Sequence, residues 1–237
     1  MKITFLGASH GYPEPNRRCS CAMLDLGGKI YFIDMGVMAL EDLVTRGISP
    51  DAVKGIFITH MHGDHTNGLV HFVDLICWKY KTVDPVICLP SLQGVEPMRG
   101  WLAANETPMR DLQFREYDSG VIFDDGTLKV TAIPTRHCET SHSFLVEAEG
   151  KTVLFTGDLK RPGIDFPEIV KQLHTDLMVC ECAHFPATDY IPVLEQCRTD
   201  RVCINHHSPR YFNTIAQLTE AISTPLVIAY DGLELNV

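Results

Sequence analysis

Four side chains able to ligate a metal fall within six positions of the run Thr59-His60-Met61-His62-Gly63-Asp64-His65. They follow Gly55-Ile56-Phe57-Ile58-Thr59, an apolar run that reads as a buried strand. Ligands in open α/β sheets gather at the carboxyl ends of strands, so this order describes a site rather than a solvated loop. His60 and His62, two apart, can face one metal from a turn. Asp64 and His65 continue around the turn and can face a second. Imidazole and carboxylate together suit zinc, manganese or iron.

One loop cannot close two metal sites, so further ligands are expected at other strand ends. Three positions have that context, each a polar residue at or just past the exit of a hydrophobic run. His137 follows Val130-Thr131-Ala132-Ile133-Pro134, Asp158 follows Val153-Leu154-Phe155-Thr156-Gly157, and His206 follows Val202-Cys203-Ile204-Asn205.

The elements that must carry these residues are legible as alternating β-rich runs and helical patterns. Strands are expected at 2–6, 21–26, 29–33, 55–59, 85–89, 113–117, 128–134, 143–148, 152–156, 177–181, 201–205 and 225–229. Gly27-Gly28 joins two of them as a tight hairpin, and Glu149-Gly150 marks another. Helices are expected at about 38–46, 66–80, 91–104, 166–174, 189–197 and 210–222, with Leu69, Phe72, Val73 and Ile76 at helical spacing in the second. Hairpins mixed with strand–helix alternation predict an α/β layered fold. The 237 residues contain no repeat, low-complexity segment or long linker and are read as a single domain, 1–237.

Composition narrows the partners. The formal net charge of −10 disfavours a broad basic surface for wrapping nucleic acid. No stretch approaches the ~18 apolar residues of a membrane span. The N-terminus lacks the organisation of a secretory signal, so a cytoplasmic location is expected. The nine cysteines, an odd number, include Cys19/Cys21 and Cys180/Cys182 without CxxC spacing. They read as reduced thiols.

The HxHxDH run with His137, Asp158 and His206 resembles the metallo-β-lactamase superfamily along nearly the whole chain. The resemblance implies an αββα sandwich of two mixed sheets flanked by helices, with two divalent ions, zinc first among them, between the sheet tops. It implies that His60, His62 and His137 hold one ion, that Asp64, His65 and His206 hold the other, and that Asp158 bridges them. Asp34, in the turn Ile33-Asp34-Met35-Gly36, is expected to support the site rather than to ligate. Within the superfamily, Phe5-Leu6-Gly7-Ala8-Ser9-His10-Gly11-Tyr12-Pro13 with Asn16-Arg17-Arg18 is similar to the N-terminal loop of the ribonuclease Z branch. His206-His207-Ser208-Pro209-Arg210-Tyr211 is similar to that branch's final motif, which implies that Ser208 and Arg210 hold a phosphate. The planar donor fork of arginine suits that task. Glu181-Cys182-Ala183-His184-Phe185 stands where tRNA-processing enzymes and cyclic-phosphate phosphodiesterases place a general acid, which points to His184.

Departures from the branch shape the expectation. Ribonuclease Z inserts a long tRNA-gripping arm between the third-motif histidine and the bridging aspartate. Here His137 and Asp158 are only 21 positions apart, which leaves room for one hairpin. The expected activity is hydrolysis of a small or cyclic phosphodiester or nucleotide by a hydroxide shared between two metals. Asp64 serves as ligand and base, and His184 serves as acid. Lactone, thioester or β-lactam opening on the same scaffold, tRNA 3′-end cleavage, and a non-catalytic metal-binding role are the competing readings. Relatives often dimerise, which leaves a homodimer open by analogy, but the sequence does not determine the oligomeric state. His10 and His142 are candidates for the pocket without an assigned role, His207 most naturally points away from the metals, and His71 and His174 are expected on helix surfaces.

Overall fold

Alternation within single strands decides the layering. In the third strand Tyr31 and Ile33 point to one side and Ile30 and Phe32 to the other, and all four are buried. A strand buried on both faces needs cover on both, which calls for a second sheet on one side and helices on the other. The computed structural model describes residues 1–237 and has this arrangement.

The elements run β1 (Lys2–Gly7), β2 (Cys21–Leu26), β3 (Lys29–Ile33), α1 (Ala39–Thr45), β4 (Val53–Phe57), α2 (Gly63–Trp78), β5 (Val86–Leu89), α3 (Val95–Ala104), β6 (Gln113–Glu116), β7 (Gly120–Asp124), β8 (Lys129–Pro134), β9 (His142–Ala148), β10 (Lys151–Phe155), α4 (Pro162–Asp165), β11 (His174–Thr175), β12 (Leu177–Cys182), α5 (Ile191–Leu194), β13 (Arg198–Thr199), β14 (Val202–His207), α6 (Phe212–Ala221), β15 (Leu226–Ile228) and β16 (Glu234–Asn236). One sheet has the order β16-β1-β2-β3-β4-β5-β6 and the other β15-β14-β12-β10-β9-β8-β7. Each is antiparallel in one half and parallel in the other, with β3 to β6 parallel in the first and β10, β12, β14 and β15 parallel in the second.

Three apolar clusters fill the layers. Ile3, Phe5, Tyr31, Phe57, Phe144 and Val153 belong to the cluster between the sheets. Phe32, Ile56, Leu69, Phe72 and Ile76 join the first sheet to α1, α2 and α3. Leu154, Met178, Tyr190, Ile204 and Ile215 join the second sheet to its helices. The expected αββα sandwich is therefore the observed fold. No helix is long and apolar enough to cross a membrane.

The differences from expectation lie at element ends and in short segments. The strand expected at 55–59 is Val53–Phe57, because Thr59 leaves the ladder and donates its N–H to the Asp34 carboxylate. Helix α2 begins at Gly63, so Asp64 and His65 occupy its first turn. Residues 166–174 form no α-helix. Pro167 precedes a single 3-10 turn, Glu168–Lys171, and His174 then enters β11 instead of lying on a helix surface. Residues 189–197 hold only the end of a 3-10 turn and the four-residue α5. Strands β7 and β16, short and partly exposed, have no expected counterpart.

Candidate metal centre

The polar residues collect at the carboxyl ends of β4, β8, β10, β12 and β14, along the upper edge of the sandwich. The first cluster is built by a change of backbone regime. His60 and His62 lie in the extended segment after β4, with His62 at the N-cap of α2, and Asp64 and His65 are carried by the helix. The start of α2 sits close against the loop after β3. A Cβ on Gly68 would lie 1.8 Å from the Val37 carbonyl oxygen, so only glycine allows this approach. Asp34, with φ +58°, anchors the same junction. Its Oδ1 accepts from Thr59 N at 2.8 Å and its Oδ2 accepts from His65 Nδ1 at 2.7 Å. His65 Nε2 is thereby turned into the site.

His206 arrives by a bulge. Glu181 pairs with Asn205 and Cys182 with His207, leaving His206 unpaired with φ +45°. A left-handed non-glycine residue costs about 1–3 kcal/mol and persists only where its surroundings over-determine it. The bulge points His206 at the site, where its Nδ1 donates to the Ser9 carbonyl at 3.0 Å. His207 turns away, against the Ala229 carbonyl and the Phe212 ring.

Two groups of donor atoms result. His60 Nε2 and His137 Nε2 lie 3.0 and 3.1 Å from His62 Nδ1, and both lie 3.6 Å from Asp158 Oδ2. In the second group, His65 Nε2 lies 3.6 Å from Asp64 Oδ2 and from Asp158 Oδ1. His206 Nε2 lies 3.7 and 3.5 Å from the same two oxygens. Donors placed about 2.0–2.1 Å from a tetrahedral ion lie about 3.3–3.4 Å from one another. Both groups match that spacing, with one oxygen of Asp158 in each. His65 Nε2 and Asp158 Oδ1 are buried without a hydrogen-bond partner. Buried polar atoms are almost always paired, and a divalent cation would satisfy both. The donor set therefore fits the ions its chemistry calls for.

Electrostatics divides the histidines. Burial, reinforced by the neighbouring His65, holds the His60 pKa down at about 2, and burial holds His137 at about 4. Both are neutral ligand donors at pH 7. For His65 burial opposes the charge, but Asp34, Asp158 and Asp64 outweigh it and push the pKa up to about 10. For His206 burial is likewise outweighed by Asp158. Burial raises Asp158, but the surrounding histidines overcome it and hold the carboxylate well below its usual range.

His184 stands beside the first group, with Nε2 3.8 Å from Asp158 Oδ2 and its ring 4.5 Å from that of His137. Its Nδ1 donates to Glu181 Oε2 at 2.8 Å. Glu181 is fully buried and also accepts from Leu159 N, Ala183 N and His184 N. Burial works against charging His184, but the Glu181 hydrogen bond and charge push its pKa up to about 9. In the sequence Glu181 is part of the motif Glu181-Cys182-Ala183-His184-Phe185 with no role assigned to it. Its position three residues before His184 was the available signal.

A pocket of about 410 Å3 opens over the centre, lined by His62, Asp64, His137, Asp158, His184 and His206. His10, Gly11, Tyr12, Ser208 and Arg210 also line it. A Cβ on Gly11 would lie 2.7 Å from Asp64 Oδ2, so the N-terminal loop touches the centre. His10 thus lines the pocket, whereas His142 does not. The His142 ring packs on Tyr117, and its Nδ1 donates to the Thr140 carbonyl in a separate cleft.

Residues 1–189 match the family described as Anti-Pycsar protein Apyc1. The chain belongs to that family. It is similar to Ribonuclease Z of Leuconostoc mesenteroides, 28% identical over 179 residues that cover 73% of this chain and 56% of the relative. The chain thus spans little more than half the length of that relative. Human tRNase Z, short form, superposes with a TM-score of 0.79 at 23% identity, covering 100% of this chain and 99% of that one. A diphosphatase of the PhnP family superposes with a TM-score of 0.72 at 18% identity, covering 100% and 97%. The chain therefore has the metallo-β-lactamase architecture, in its ribonuclease Z-like branch.

Proposed function

We propose that the protein is a dinuclear metal-dependent phosphodiesterase acting on a small or cyclic phosphodiester or nucleotide. The observation that carries this reading is one pocket faced by members of both donor groups, a carboxylate-backed histidine, and an arginine with a serine. His60, His62 and His137 would hold one ion, Asp64, His65 and His206 the other, with Asp158 shared. Two divalent ions held there would supply an activated water at neutral pH and offset phosphoryl charge. Asp64 orients and deprotonates the attacking water. His184 is tethered through Nδ1, so Nε2 is free to pass its proton to the departing alkoxide. Ser208 accepts the Arg210 N–H, which leaves its own O–H free for a phosphoryl oxygen. Arg210, exposed beside the Tyr211 ring, offers a donor fork to the same group. A net charge of −10 does not oppose anion binding, since cations set the local potential.

The pocket volume suits a mononucleotide-sized ligand. Between His137 and Asp158 the chain forms only the β9–β10 hairpin, which supports a small substrate over an extended RNA. The test assays the metal-loaded protein on bis(p-nitrophenyl) phosphate, cyclic mononucleotides, a lactone and thioester panel, and a 3′-extended precursor tRNA. Turnover confined to lactones or thioesters would sink the proposal. Cleavage of the tRNA alone would replace the small-substrate reading with tRNA processing. A metal-loaded protein inert on every substrate would favour a non-catalytic role.

A further inference from the structure

His206 owes its direction to a strained bulge, and the bulge is held from two sides. Outside it, His207 N donates to the Ala8 carbonyl at 3.3 Å and Ser208 N to the Cys182 carbonyl at 3.1 Å. Inside it stands Asn205, 8% exposed, whose Oδ1 has no hydrogen-bond partner. The metal centre does not explain this atom, because Asn205 belongs to neither donor group.

The Asn205 side chain borders a cavity of about 30 Å3 between the two sheets. Ser20, Asp34, Thr156 and Glu181 supply polar wall, and Ala22, Ile33, Phe155 and Val179 close the side facing the interlayer core. His65, Asp158 and His206 also line it, whereas His60, His62, Asp64 and His137 do not, so the cavity reaches the second donor group from its inner side, with Asn205 on the wall away from the open pocket. A cavity accepts a water when it offers at least about 10–15 Å3 and two to four polar partners. Both conditions hold here, and the volume admits nothing larger than one or two waters. A water donating to Asn205 Oδ1 satisfies the orphaned acceptor and can accept from the Ser20 hydroxyl.

We propose that this cavity is an internal water site, and that Asn205, through the water it anchors, is a positioning residue for His206. Asp34 and Glu181, which orient His65 and His184, both border the cavity. The water therefore lies at the junction of the groups that aim ligands from the two sheets. The consequence for metal binding rests on the reading of His206 as a ligand.

Three measurements test the proposal. In a crystal structure of the metal-loaded wild-type protein, an ordered water is expected within hydrogen-bond distance of the Asn205 amide, and a dry cavity overturns the proposal. Asn205→Leu replaces the polar anchor with an apolar side chain and should weaken one ion, that of Asp64, His65 and His206, by about 10-fold or more in chelator competition. Asn205→Ser keeps a polar anchor and room for a second water, and should stay within about 3-fold of wild type. Ala22→Val reaches the cavity from β2 and should reproduce the loss without altering β14, which covers the case in which Asn205→Leu does not fold. Wild-type affinity in the leucine or valine variant overturns the positioning role. Elemental analysis of the wild type separates the two readings. Fewer than two ions removes the ligand assignment and the positioning role with it, whereas two ions with unaltered variants removes only the present inference.

Discussion

Asp158 sets the most severe test at the scale of single residues, because each of its oxygens serves a different donor group. Asp158→Ala should remove both ions and all activity together, as read by elemental analysis alongside the assay. Full metal content in that variant would refute the shared role. Glu181 acts one step further out. Glu181→Gln keeps the shape but removes the charge that raises His184 toward about 9. The acid must be protonated to work, so activity fails as pH rises through its pKa. Lowering that pKa moves the alkaline limb of the rate profile to lower pH. General acids contribute about 10²–10⁴-fold. Alkyl diesters, with poor leaving groups, should therefore lose about that much turnover in His184→Ala, while p-nitrophenyl diesters change little. Equal losses on both substrates would argue against acid catalysis by His184.

At the scale of elements, the junction of β3, β4 and α2 carries the first ligand cluster. The seat of α2 is tight enough that the Gly68 position borders the Val37 carbonyl. Gly68→Ala must displace the first turns of the helix, at a cost of about 1–3 kcal/mol for overpacking. The displaced turn carries Asp64 and His65, so a lowered melting temperature and weaker metal binding should appear together. A stable variant with normal metal affinity would show that the helix start moves without its ligands. The bulge in β14 works the other way, letting two adjacent histidines face opposite directions. Hydrophobic runs locate the strands, but they do not show which of His206 and His207 turns inward. That choice depends on contacts with Ala8, Ser9 and Ala229, all remote in the chain.

At the scale of the whole molecule, metal binding, protonation and stability are linked. His65, pushed up to about 10, is protonated at pH 7 without metal, whereas His60 and His137, at about 2 and 4, are already neutral. Loading the ions near neutral pH should therefore release protons, and metal affinity should rise with pH toward the His65 value. Calorimetric titration in buffers of different ionisation enthalpy reads the proton count directly, and a count of zero would contradict the electrostatic picture. Because the donor groups come from both sheets, ions held there would bind the folded state far better than the unfolded chain. Chelation should lower the melting temperature by mass action.

Much of this was legible in the residues themselves. Apolar runs ending in His, Asp and His marked the strand exits, and the HxHxDH spacing marked the first cluster. Both are local patterns, written within a few positions of one another. The short distance from His137 to Asp158 likewise restricted that connection to a hairpin. Only the tertiary structure decided what those residues meet. It gave one Asp158 oxygen to each donor group, put Asp34 behind His65 and Glu181 behind His184, and sent His142 to a different cleft. It also placed Asn205 over a polar cavity. The physical reason is that a side chain's direction at a strand exit follows from one or two backbone dihedrals. Those dihedrals are fixed by contacts with segments such as the Ala8–Ser9 loop, nearly 200 positions away from His206.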